Sequence, residues 1–278
     1  MALPYFIVDA FTNEAFSGNP AAVVPLLKWP ADHWLQQVAL EMNHPETAFY
    51  IPEKSGFQLR WFTPEMEVDL CGHATLATAK VLAHLGCLAD GDIVSFSTLG
   101  GTLRAQRDGS RFQLDFPSLP QKPCLAPANL TEGLGIKPIY IGKNSMDYLV
   151  EADCASTVRA LRPDWVKLAS ISCRGIIVTA PGDLPDIDCV SRFFAPATGV
   201  NEDPVTGSAH CCLAEYWSLK LKKVRLRGYQ ASTRGGLVCM EFCGDRVILE
   251  GDAVLVAEGH LLVDSPGMNR QDLNTAFT

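Results

Sequence analysis

The chain is predicted to fold as an α+β protein of two pseudo-symmetric domains, each a mixed, curved sheet around one central helix. Three observations predict this. Arg60-Trp61-Phe62-Thr63-Pro64 is echoed by Arg192-Phe193-Phe194-Ala195-Pro196, 132 residues later. Cys71-Gly72-His73-Ala74-Thr75 is matched by Thr206-Gly207-Ser208-Ala209-His210, with the glycines 135 residues apart, so the second copy carries a three-residue insertion. Two polar-glycine turns, Asp108-Gly109 and Gly244-Asp245, keep nearly the same offset. Landmarks sharing one register indicate an internal duplication.

The elements follow from apolar periodicity. Tyr5–Ala10 and Ala21–Leu26 read as strands around the turn Ser17-Gly18-Asn19-Pro20. Ala31–Met42 is a helix, with Trp34, Leu35, Val38 and Met42 on one side. Thr47–Ile51 and Phe57–Phe62 are strands, and His73–Leu85 is the central helix of the first half. Ile93–Phe96, Thr102–Gln106 and Phe112–Phe116 are strands, the last two joined by a hairpin turn at Asp108-Gly109. In the second half, strands cover Tyr140 and Tyr148–Val150, and helical character spans Ser156–Leu168 with an interruption at Pro163. Strands Gly175–Ala180 and Val190–Phe194 precede a helix at Ser208–Leu219. Strands Val224–Gln230, Leu237–Phe242 and Val247–Leu249 follow. A helix with an apolar face against a curved sheet makes a compact α+β unit. The expected domains are 1–117, joined by the tail 265–278, and 118–264, with a linker in the proline-rich stretch Pro117–Pro127.

Composition narrows the function. The chain has 278 residues, 47% apolar and 19% charged, as in a globular protein. Its net charge of −8 argues against nucleic acid or an anionic membrane as partner. Ten cysteines show no C-x-x-C spacing, so we expect reduced, mostly buried thiols and a cytoplasmic protein rather than a zinc site or disulfide framework. The N-terminal residues show no secretory signal, and no apolar run approaches the ~20 residues of a membrane span. G-x-G-x-x-G, Walker A, G-x-S-x-G and H-E-x-x-H patterns do not occur. Nothing in the sequence calls for a nucleotide or a metal.

Four groups of residues could carry chemistry. Gly72 and Gly207 each open a helix, where backbone N–H groups and the helix dipole favour a carboxylate. Alone, either could be only a small residue at a helix start; as a related pair they suggest a shared ligand cleft. Glu46 begins an apolar strand whose counterpart, at Arg174-Gly175-Ile176, has no acid, which suggests a single acid–base group raised in pKa by desolvation. A solvated strand-end glutamate would look the same in sequence. His73 and Asp203 flank the two turns and would converge on such a cleft, to bind a polar substrate group or to relay a proton. Cys71, His73, His210, Cys211 and Cys212 fit no zinc spacing.

Asp9-Ala10-Phe11, Phe16-Ser17-Gly18-Asn19-Pro20-Ala21, Glu46-Thr47, Cys71-Gly72-His73-Ala74-Thr75 and Glu202-Asp203-Pro204-Val205-Thr206-Gly207-Ser208-Ala209 together resemble the phenazine-biosynthesis PhzF-like isomerase/epimerase family. These motifs span nearly the whole chain in order. The resemblance implies a fold like that of diaminopimelate epimerase, with the site between two alike domains, in a cytosolic homodimer without a cofactor. It implies a cofactor-independent isomerase that moves a proton between carbons of a small amino- or hydroxy-carboxylic acid. Glu46 would be the acid–base group, with His73 and Asp203 in support. Gly72 and Gly207 would hold the substrate carboxylate through their backbone, with Ser208 beside the second. Asn19 and Arg234-Gly235-Gly236 match family segments bordering the site. One departure is Pro45, where a serine often precedes the family glutamate; it removes a polar group and bears on substrate identity. A two-thiol epimerase or racemase using Cys71 is the first alternative, and a non-catalytic small-ligand-binding protein of the same fold is the second.

Overall fold

The computed structural model describes residues 3–263; the expected tail 265–278 lies outside them. In chain order the elements are β1 (Leu3–Ala10), β2 (Asn19–Pro25), α1 (Asp32–Met42), β3 (Glu46–Glu53), β4 (Gly56–Phe62), β5 (Glu67–Val68), α2 (Gly72–His84), β6 (Ile93–Thr98), β7 (Gly101–Asp108) and β8 (Arg111–Pro117). They continue with β9 (Lys122–Pro123), α3 (Leu130–Leu134), β10 (Tyr140–Lys143), β11 (Asp147–Glu151), α4 (Ala155–Ala160), α5 (Trp165–Ala169), β12 (Gly175–Pro181) and β13 (Cys189–Ala195). A 3-10 turn at Pro196–Thr198 leads to β14 (Val200–Asp203), α6 (Gly207–Leu221), β15 (Arg225–Gln230), β16 (Gly236–Cys243) and β17 (Arg246–Leu261). Two compact units form: one takes the chain to Asp115 and again from Glu250, the other is Phe116–Leu249.

In the first unit β1 and β2 are antiparallel, β2 and β3 parallel, β3 and β4 antiparallel, β4 and β6 parallel, and β6, β7 and β8 antiparallel. Strand β17 pairs with both β1 and β8 and closes the ring. Helix α2 packs on β1, β2, β3 and β7 and is buried on nearly every side, from His73 to Leu82. That burial explains its composition: four alanines and two threonines in thirteen residues let strands approach it. Helix α1 covers the outer face, where Leu35, Val38 and Ala39 meet Val24, Phe49 and Phe62.

The second unit repeats the pattern. β10 and β11 are antiparallel, β11 and β12 parallel, β12 and β13 antiparallel, β13 and β15 parallel, and β15 and β16 antiparallel. Helix α6 is buried on most sides, and α3 to α5 lie over a core built from Leu130, Val150, Val158, Leu168, Val178 and Phe194. The hairpin glycines Gly109 and Gly244 both take positive φ (59° and 79°), which an L side chain resists.

The structure alters several expectations. The helical stretch at Ser156–Leu168 is two short helices, α4 and α5, separated at Pro163. The strand expected at Val247–Leu249 runs on to Leu261. The proline-rich linker contains the short strand β9, paired with β10. The thiols are not mostly buried: Cys71, Cys189, Cys211 and Cys212 are buried, whereas Cys87, Cys124, Cys154 and Cys243 are exposed. The exposed four lie in turns, loops and strand or helix ends, where no packing covers them. All ten are free. Among the described residues no helix is long and apolar enough to cross a membrane.

Candidate active site

In the first unit the chain brings Asn19, Glu46, Cys71 and His73 together. Asn19 opens β2, Glu46 opens β3, and parallel pairing of these strands sets Glu46 opposite Ala21. Cys71 is the N-cap residue of α2, and its extended backbone (φ −144°, ψ 110°) turns the chain so that Gly72 and His73 form the first helical turn. No side-chain cap bond is made there among the described residues, although the Ala74 N–H acts on the Cys71 sulfur, and the first backbone donors, those of Gly72 and His73, lie at the helix start.

His73 is the hub. Its Nε2 lies 3.1 Å from Glu46 Oε2, at ion-pairing distance, and neither atom has a well-aligned hydrogen-bonding partner among the described residues. Its Nδ1 meets the Asn19 amide at 3.2 Å and the Cys71 sulfur at 3.5 Å. With the Asn19 N–H donating to Nδ1, the neutral ring carries its proton on Nε2, facing the carboxylate. A second proton on the ring requires the amide to turn its oxygen inward. The Glu46 side chain is 20% exposed and that of His73 5%; the strand-end glutamate is thus backed by an imidazole and open to solvent on one side only.

The electrostatics follow from this packing. Burial by itself disfavours the imidazolium, but the Cys71 sulfur and the Glu46 carboxylate favour it, and the balance lifts His73 well above the ordinary histidine value. Burial pushes the Cys71 thiol up, Glu46 adds to the rise, and His73 opposes it. Glu46, Cys71 and His73 offer three potential metal donors within 4.8 Å of one another. They make a poor chelating set, because the carboxylate and the sulfur take opposite nitrogens of one ring and an ion bonds only one of them.

In the second unit the counterpart of this turn is organised by Gln230, which is fully buried. Its amide nitrogen donates to Asp203 O (2.7 Å) and its oxygen accepts from Thr206 N (2.9 Å). The Thr206 hydroxyl donates to the Asp203 carboxylate. Gly207 and Ser208 open α6, and Ser208 Oγ accepts from Arg174 Nη2 at 2.9 Å. Ser232 Oγ donates to Pro204 O (2.7 Å) and accepts from Gly235 N (3.1 Å), so the Arg234-Gly235 turn is tied to the residue after Asp203.

The strand registers locate the second copy of Glu46. Thr47 pairs with Phe62 as Ile176 pairs with Phe194, so Gly175 occupies the glutamate's position and Arg174 that of Pro45. A Cβ at Gly175 would lie 2.1 Å from the Phe193 ring, so no side chain fits there as the unit is packed. As packed, the second copy leaves no room for an acid at this position. Two features escaped the sequence reading. One is the pair of bidentate clamps Arg60–Glu67 and Arg192–Glu202; their signal was the repeated Arg motif plus the insertion. The other is the Arg174–Asp147 pair, for which the sequence holds no signal.

Residues 8–259 match the model of the phenazine biosynthesis-like protein family, PhzC-PhzF. The chain belongs to this family. An uncharacterized isomerase of Halalkalibacterium halodurans is 50% identical over 264 residues, covering 95% of this chain and 100% of the relative. The crystal structure of a PhzF-family phenazine biosynthesis protein from Enterococcus faecalis superposes with a TM-score of 0.90 at 41% identity, covering 95% of this chain and 100% of that one. A probable proline racemase from Agrobacterium radiobacter, 12% identical with a TM-score of 0.63 over 94% of this chain and 93% of that one, shares the fold. The α+β epimerase-like fold is thereby established, and family membership places this PhzF-like chain among isomerases.

Proposed function

We propose that this PhzF-like protein is a cofactor-independent isomerase that moves a proton between two carbons of a small amino- or hydroxy-carboxylic acid, with Glu46 as acid and base. The observation that carries the reading is the half-buried carboxylate of Glu46 set 3.1 Å from an otherwise unpartnered His73 Nε2. Glu46 takes a proton from one carbon of the substrate and returns it to another, so no electrons are gained or lost overall. His73, held by Asn19 and Cys71, positions the carboxylate and offers it a compensating charge. The backbone donors at Gly72 would hold an anionic group of the substrate in the first unit. Asp203, Gly207, Ser208, Arg234 and Gly235 are carried in this reading as supporting residues of the second unit. The same reading makes the enzyme a cytoplasmic homodimer.

The two-thiol alternative finds less support. Thr206 stands where a second Cys71 would be, and burial pushes the nearby Cys211 and Cys212 thiols up, the latter to about 12. The test is a deuterium wash-in screen across small amino and hydroxy acids in D2O, read by mass spectrometry. The wild type and Cys71→Ser should label a substrate, and Glu46→Gln should lose roughly 10²–10⁴-fold in rate. Unchanged labelling by Glu46→Gln removes Glu46 from the role of base; loss in Cys71→Ser alone restores the thiol mechanism.

A further inference from the structure

The second unit holds a groove of ≈ 560 Å³, open to solvent, that the proton-transfer reading does not use. Lys143, Ser145, Ser172, Cys173 and Arg174 are among its lining residues. That volume suits a small metabolite. Behind it lies Asp147, fully buried and held by Arg174 through Nε (2.9 Å) and Nη2. Nη2 also donates to Ser208. These bonds use one edge of the guanidinium. Nη1 has no partner among the described residues, and the arginine side chain is 34% exposed.

Lys143 supplies a second cation. Its ammonium lies over the Tyr148 ring at 4.6 Å and reaches the phenol oxygen at 3.4 Å. No carboxylate lies within ion-pairing distance of it among the described residues. Burial and the Asp147 charge push the Cys173 thiol up, and the charges of Lys143 and Arg174 oppose that rise. The groove thus presents two positive groups and several hydroxyls, with the buried Asp147 carboxylate held by the arginine behind it. In a chain of net charge −8 this is a local inversion of sign.

We propose that this groove is an oxyanion-binding site for the carboxylate or phosphate group of a small molecule. Arg174 Nη1 offers planar, directional donors and Lys143 a mobile point charge. A guanidinium placed only as counter-ion to Asp147 would not account for Lys143, which faces the same groove without an acid. The strand register adds to this: Arg174-Gly175 stands where Pro45-Glu46 stands in the first copy, so the copy without the acid carries a cation at the neighbouring position. The inference does not depend on the role of Glu46.

The test is calorimetric titration of the full chain with inorganic phosphate and, separately, with succinate, at low ionic strength. The wild type should bind one or both saturably, and the preferred anion identifies the source. Lys143→Gln should weaken binding about tenfold. Arg174→Gln combined with Asp147→Asn removes the cation and its buried counter-charge together and should weaken binding at least as much. Because the Lys143 ammonium bonds and stacks on Tyr148 at the surface of the groove, its variant reports on binding even where the double variant does not fold. Equal affinity in the wild type and Lys143→Gln, or no saturable binding of either anion at millimolar concentration, overturns the proposal.

Discussion

The two copies of one ion-pair clamp should contribute unequally to stability. Arg192 donates to Glu202 through Nε (2.6 Å) and Nη2 (2.8 Å), and its Nη1 donates to Leu161 O (2.9 Å). The side chains are 9% and 17% exposed. Arg60 grips Glu67 in the same way (2.6 and 2.7 Å) but at 18% and 23% exposure, and its Nη1 reaches a second acid, Asp32, at 2.9 Å. Glu202→Gln leaves a buried guanidinium with carbonyls alone. Breaking such a pair from one side costs about 3 kcal/mol. Glu67→Gln leaves Arg60 with Asp32 and with more water, so its cost should be roughly 1–2 kcal/mol. In melting temperature these losses correspond to about 10 °C and about 4 °C. Scanning calorimetry of both variants at neutral pH provides the comparison. The damage in Glu202→Gln should also reach the turn into α6, because Asp203 is the next residue and its carbonyl is held by Gln230. A Glu67 variant that melts at or below the Glu202 variant would refute the reasoning, since burial and the second acid could not then be what separates the copies.

Two pH effects follow from buried histidines. His73 is raised above its ordinary value, so its pairing with Glu46 stabilises the fold fully below the unfolded histidine pKa and is lost as pH rises through the folded one. Glu46→Gln should lower the His73 midpoint in an NMR titration; an unmoved or higher midpoint would contradict the contact. His210 has the opposite sign: burial depresses it to about 4 although its Nδ1–H donates to Thr206 O at 2.8 Å. Below about pH 6.5 the unfolded chain binds the proton first, so stability should fall by on the order of 3 kcal/mol by pH 4. His210→Asn should flatten that loss in denaturant titrations across the same range, and an unchanged slope would assign it to other groups.

The duplication was legible because glycine and arginine landmarks tolerate little substitution in a shared register. The turns at Gly72 and Gly207 do open the two buried helices, and Gly109 and Gly244 do turn the two hairpins. The length of β17 was not legible, because Gly251 and Gly259 interrupt its apolar pattern. Both are close-approach positions: an added Cβ would meet the Phe11 ring at 2.5 Å and the Tyr5 ring at 2.8 Å. Those glycines let the strand pass under aromatic rings, whereas in sequence they resemble breaks. At the site, Glu46 and His73 could be named from their motifs, but their contact and the part Asn19 plays arise from strand order. The partners are 27 and 54 positions apart. Asp147 and Arg174, also 27 apart, meet for the same reason.

Comparing the two copies shows how one scaffold came to hold different chemistry. The helix-opening position after each glycine carries His73 in one unit and Ser208 in the other. Each faces the residue pair at the head of the adjoining strand: His73 contacts Glu46, and Ser208 contacts Arg174. An imidazole behind a carboxylate suits a proton that must come and go, because a carboxylate can take a proton and the imidazole beside it can offset the change in charge. A hydroxyl behind a guanidinium suits a charge that must stay fixed, because arginine does not titrate in the ordinary pH range. Restoring the first chemistry to the second copy would take more than a glutamate at Gly175, since Phe193 occupies the space a side chain needs and Arg174 stacks over that ring at 5.5 Å. The ring that fills the space beside Gly175 is thus the ring on which the arginine rests.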